Sequence, residues 1–194
     1  MTRPRWFIEL LKKSFASRFI LAKLTQIPGF RYVINKLLFE DDILIYIPND
    51  DILKNGWTKN IKIDKKILQN EDILVPSQII DKFIEQGKYL WQMNFCLCRE
   101  SNKCSSYSRD KGCLFIGEAV LQIDPSYGKL VTKNEAREYI KQCREEGLIE
   151  LIGRNKLDKQ WLDVKPEHKL LTICNCCECC CLWKMLPNLD LKIS

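Results

Sequence analysis

Six of the chain's 11 cysteines fall within eight residues, Cys174-Asn-Cys-Cys-Glu-Cys-Cys-Cys181. No other feature restricts the fold as tightly. Consecutive Cα atoms across a trans peptide stand only ~3.8 Å apart, whereas a relaxed disulfide wants ~4.4–6.8 Å. Cys176–Cys177, Cys179–Cys180 and Cys180–Cys181 are therefore poor disulfide partners for each other. Thiolates crowded in this way repel unless a cation sits among them, so the run points to metal ligation.

A second group comprises Cys96, Cys98, Cys104 and Cys113. Four thiolates over so short a stretch can enclose one four-ligand centre, and zinc and iron–sulfur clusters both meet that description. The spacing is neither the paired C-x2-C of a zinc ribbon nor the C-x2-C-x2-C-x3-C-P ferredoxin run. Histidine, the usual companion ligand of zinc, occurs once, as His168. Ligand softness then favours iron–sulfur, with zinc as the open alternative. Arg99, Lys103, Arg109 and Lys111 accompany these cysteines and are read two ways, as cations compensating an anionic cluster or as solvated loop charges. Cys143 follows Ala136 and Ile140 at helical spacing, which makes it a core thiol rather than a ligand.

The net charge of +6 is concentrated at one end: residues 1–39 hold eight basic side chains and one acid. Residues 135–146 balance Arg137, Lys141 and Arg144 against four glutamates, so no nucleic-acid partner is expected. No apolar run reaches the ~18–20 residues of a spanning helix, and no secretory pattern opens the chain. These observations point to the cytoplasm.

The predicted fold class is α+β, mainly helical, with irregular cysteine-rich loops enclosing the metal. Residues 1–40 form a basic amphipathic helical segment and residues 41–194 the cluster-binding domain. Within 4–24, Phe7, Leu10, Leu11 and Phe15 recur at helical spacing. Pro28-Gly29 interrupts the pattern, and Phe30, Val33, Ile34, Leu37 and Leu38 give a second stripe. Ile43–Ile47 reads as a buried strand and 49–69 as turns with short strands. Pro76 opens a helix whose apolar side runs through Ile79, Ile80, Phe83, Ile84 and Leu90 toward Cys96. Residues 114–123 read as helical. Thr132-Lys-Asn-Glu135 matches a capping box, with Gly147 as the C-terminal stop and a strand over 148–152.

The segments Cys96-Leu-Cys-Arg-Glu, Gly112-Cys-Leu-Phe-Ile-Gly-Glu-Ala119, Gly147–Asp158 and Thr172-Ile-Cys-Asn-Cys-Cys-Glu-Cys-Cys-Cys-Leu-Trp183 resemble a family of ferredoxin-like 4Fe-4S iron–sulfur binding proteins of anaerobic archaea and bacteria. The resemblance covers nearly the whole chain and is most specific in Cys174–Trp183. It implies Cys96, Cys98, Cys104, Cys113, Cys174, Cys176, Cys177, Cys179, Cys180 and Cys181 as cluster ligands. Many members continue into a C-terminal domain with two ferredoxin motifs, about where this sequence ends at Ser194. Ten thiolates exceed by two the eight of two cubanes. Two [4Fe-4S] clusters, or one larger multinuclear cluster bridging both segments, are the resulting expectations.

The function so implied is electron transfer within an anaerobic redox complex, with a protein redox partner or a metalloenzyme as neighbour. An accessory or assembly role in maturing an anaerobic metalloenzyme is the alternative, and a zinc-stabilised interaction module the third. No catalytic residues are expected. The basic helices of residues 1–24 either cap the core or rest on the inner face of a membrane through Trp6, Phe7, Phe15 and Phe19.

Overall fold

The computed structural model describes residues 3–34, 36–37, 43–47, 76–182 and 184. A single antiparallel sheet organises the chain. Its strands are β1 (Ile43–Ile47), β2 (Leu90–Met93), β3 (Leu114–Ile116), β4 (Gly128–Val131), β5 (Ile149–Arg154) and β6 (Leu171–Cys176), in the spatial order β1-β5-β6-β3-β2-β4. Helices α1 (Arg5–Ser14), α2 (Arg18–Leu24), α3 (Pro28–Ile34), α4 (Pro76–Gln86), α5 (Leu97–Ser101), α6 (Lys133–Glu145) and α7 (Lys156–Leu162) surround it. The class is α+β, and the sheet, more than the helices, sets the frame.

Period-two alternation divides the core between the two faces. Leu90, Leu114, Ile116, Ile152 and Ile173 turn toward α4 and α6, joining Ile80, Ile84, Ala136, Ile140 and Cys143. Trp91, Met93 and Phe115 turn the other way, toward Ile8 of α1 and Trp161 and Leu162 of α7. Ile8 lies within this second core, so the N-terminal helix packs as an integral layer.

The terminal signals of α6 work as their chemistry dictates. The Thr132 hydroxyl accepts from the Glu135 N–H, and the Glu135 carboxylate accepts from the Thr132 N–H at 2.8 Å. Beyond the helix, Gly147 adopts φ +82°, the left-handed conformation that ends a helix most easily without a Cβ. Cys143 is fully buried on the inner face, and burial pushes its thiol up to about 12.

Four expectations change. Pro28 begins α3 rather than only interrupting a pattern, as its fixed φ allows at a first helical position. On α3 Ile34 is buried, while Phe30 and Val33 are exposed. Leu90 belongs to β2, because α4 stops at Gln86. Residues 114–123 are not one helix: Leu114-Phe-Ile is a buried strand, Gly117 turns the chain, and a 3-10 helix follows over Glu118–Gln122. Short apolar runs are ambiguous between helix and strand, and the aromatic and β-branched content decides here. The expected turns at 49–69 lie outside the described residues.

Candidate metal centre

The register of two central strands brings the cysteine segments together. β3 and β6 pair antiparallel with Leu114 opposite Ile173, which carries the preceding Cys113 alongside the following Cys174. Their Sγ atoms stand 3.7 Å apart. Cys174 and Cys176, two residues apart on β6, project from the same face. Cys96 sits at the N-terminus of α5 and Cys98 in its first turn. Lys103 then takes a left-handed conformation (φ 49°) and the chain turns into Cys104.

The ten candidate ligands form two groups, and neither group follows the sequence segments. Cys104, Cys177, Cys179 and Cys180 have all four Sγ atoms within 4.8 Å of one another. Their closest pairs are Cys104–Cys179 at 3.4 Å, Cys177–Cys179 at 3.5 Å and Cys179–Cys180 at 3.5 Å. This quartet packs against the core on the α4 and α6 side. Cys96, Cys98, Cys113, Cys174, Cys176 and Cys181 line a cavity of about 60 Å³ beneath Phe15 and α7, and Cys177 of the quartet also reaches its wall. One water needs ~10–15 Å³, so the cavity has room for a larger occupant. All 11 cysteines are free thiols, and the spacings lie far beyond the ~2.05 Å of a disulfide.

The cavity wall is otherwise apolar, with Met93, Phe95, Phe115, Leu157 and Trp161, and with Phe15 contributed from the N-terminal segment. Cys98, Cys113 and Cys174 are only partly covered and contribute to the cavity wall. Asp158 also lines it. Burial raises its carboxyl above the ordinary value, against the donors that hold it. Those donors are Trp161 Nε1 at 3.0 Å, Thr172 Oγ1 at 2.9 Å and Asn155 Nδ2 at 2.6 Å. Asn155 also caps α7 by accepting from the Asp158 N–H at 2.7 Å. An Asn three residues before an Asp is the sequence signal by which this helix could have been found.

Two arginines supply positive charge to the thiols. Arg99 is fully buried (0% exposed) and donates to the carbonyls of Asn175, at 2.9 Å, and Lys111. Burial opposes its charge, but the Cys96 and Cys177 thiolates outweigh that and raise its pKa. Arg18, 4% exposed, donates to the carbonyls of Cys180 and Phe15, each at 2.7 Å. Its guanidinium lies over the rings of Phe15 and Phe19. Among the described residues neither arginine has a carboxylate within ion-pair distance. A hydrogen bond from Cys98, followed by the charge of Arg99, brings the Cys96 thiol down to about 6 despite burial. Hydrogen bonding to neighbouring thiols, and burial behind it, pushes Cys113, Cys174 and Cys176 well above the ordinary thiol value.

Of the four cations flagged in the sequence, only Arg99 is engaged in this way. Lys111 pairs with Glu146 at 2.5 Å, Arg109 with Glu100 at 3.6 Å, and Lys103 is exposed. Arg18 was missed because it lies almost 80 residues before the first cysteine. Its only sequence signal is a lone cation among aromatics at helical spacing. His168 is exposed in a 3-10 turn and belongs to neither thiol group. Among the aromatics named for membrane contact, only Trp6 is strongly exposed, at 68%. Phe7, Phe15 and Phe19 pack against the cores, so peripheral contact finds no support. Among the described residues no helix is long and apolar enough to cross a membrane.

Cys104, Cys177, Cys179 and Cys180 could hold a metal ion by the geometry and chemistry of their donors, clustered soft thiolates. Comparison with protein-family models, curated proteins and solved structures gives no match.

Proposed function

We propose that the six-thiol cavity holds an iron–sulfur cluster and that the protein passes electrons through it as part of a larger redox complex. The observation that carries this reading is the pair of buried arginines without carboxylate partners among the described residues. A buried guanidinium costs several kcal/mol unless a negative charge answers it. Here the groups facing Arg99 and Arg18 are thiols. Neutral thiols would leave both cations uncompensated, whereas thiolates bound to iron answer them. All-thiolate donors, an apolar wall and little histidine favour iron–sulfur over zinc in this cavity.

When bound, such a cluster supplies one-electron transfer. The chain's residues do the rest. Cys96, Cys176, Cys181 and one sulfur of the touching pair Cys113 and Cys174 would present the donors, from a helix end, a rigid strand pair and the turn after β6. Arg99 and Arg18 lower the cost of added negative charge, and Phe95, Phe115 and Trp161 exclude water. Six thiols exceed the four that one cubane takes. The two left over favour a second reading, in which the cavity receives and releases a cluster during assembly of a partner metalloenzyme.

The test is an anaerobic redox titration of the full chain followed by EPR. Reversible one-electron reduction is expected. A metal-loaded protein with no reducible centre would exclude electron transfer, and delivery of its iron and sulfide to an apo-acceptor would select the assembly role.

A further inference from the structure

We infer that Cys104, Cys177, Cys179 and Cys180 form a separate site for one tetrahedral metal ion, distinct from whatever fills the cavity. Metal–sulfur bonds of about 2.3 Å arranged tetrahedrally put neighbouring sulfurs about 3.8 Å apart. The quartet has three pairs at 3.4–3.5 Å and none beyond 4.8 Å. A cubane needs four irons and four sulfides inside its ligand shell, which spreads the thiolates well past mutual contact. The quartet fits a single ion and does not fit a cubane.

The local backbone supports the same assignment. The Cys180 N–H donates to Cys177 Sγ at 3.3 Å across the turn Glu178–Cys180. This turn therefore folds around the Cys177 sulfur and gives it an N–H donor, as all-sulfur ligation of a cation favours. The Arg99 guanidinium adds a full positive charge beside Cys177. The quartet packs against the α4 and α6 core, whereas the cavity opens mainly on the opposite side of the sheet, and Cys177 is the one quartet thiol that reaches both.

Zinc and iron share this chemistry, and the experiment separates them. The full chain is purified anaerobically, and its zinc, iron and acid-labile sulfide are counted beside a Cys104→Ser/Cys179→Ser variant, which alters the two less buried ligands. The variant is expected to lose one zinc or one iron per chain with no loss of sulfide. Loss of several irons together with sulfide, or no loss of metal, would overturn the single-ion site. X-ray absorption on the unaltered protein guards against a variant that fails to fold. At the edge of the metal found, it should report an ion with four sulfurs at about 2.3 Å and no metal neighbour. Absence of such an ion would also overturn the assignment. Neither result depends on the cavity, whose own content is read from sulfide and reversible reduction.

Discussion

Arg99 is the residue whose environment departs furthest from the ordinary. Its charge is buried, its carbonyl partners are neutral, and its compensation comes from thiolates on both sides of the sheet. Replacing it with methionine should destabilise the metal-loaded protein more than the metal-free protein with protonated thiols. The excess should be about 2–3 kcal/mol, the size of one charge pair at ~6 Å in an effective dielectric of ~20. Denaturant unfolding of both forms measures it, and equal losses would mean that Arg99 does not answer thiolate charge. Cys143 is the contrasting case. Its thiol stays protonated up to about 12 in the folded chain, against an ordinary value near 9. The folded state then holds the extra proton between these values, so stability is full below pH 9 and falls as pH rises toward 12. The slope is about 1.4 kcal/mol per pH unit. Cys143→Ala should flatten this alkaline limb and leave the metal content unchanged. An unaltered pH profile, or lost metal, would contradict the core assignment.

At the scale of elements, the loop into β3 connects helix packing to ligand position. The Gly112 carbonyl accepts from the Tyr139 hydroxyl of α6 and from Asn175 Nδ2 of β6, both at 2.8 Å. A Cβ on Gly112 would stand 2.1 Å from the Phe95 carbonyl oxygen and 2.6 Å from Met93 Cβ. Gly112→Ala must therefore displace the strand that carries Cys113. It should cost about 1–3 kcal/mol and deplete iron from the cavity, while the quartet keeps its ion. A variant of full stability and full iron content would show that this close approach is not needed. Some elements were legible in the sequence because their signals are local, as with the Thr132 capping box, the Gly147 stop and the Ile43–Ile47 strand. Leu114–Ile116 was not, because three apolar residues fit either period. Its pairing with β2 and β6, which decides the matter, is a long-range contact.

For the whole molecule, the cysteines could be recognised as ligands from their crowding, but their grouping could not. Sequence proximity suggests one centre per segment. Antiparallel pairing of β3 with β6 instead sets Cys113 beside Cys174, and the turn after α5 sends Cys104 to Cys177, Cys179 and Cys180. The N-terminal helices likewise look like an appendage in sequence, yet they lend Ile8 to a core and Phe15 and Arg18 to the cavity surroundings. Two centres, each built from both segments, is the central claim. It is tested most directly by metal and sulfide analysis of two cross-segment variants, Cys104→Ser/Cys179→Ser and Cys113→Ser/Cys174→Ser. Each should lose one centre and keep the other: the first a single ion without sulfide, the second the iron and sulfide of the cavity. If both variants damage both centres equally, the thiols divide along the sequence segments and the claim is wrong.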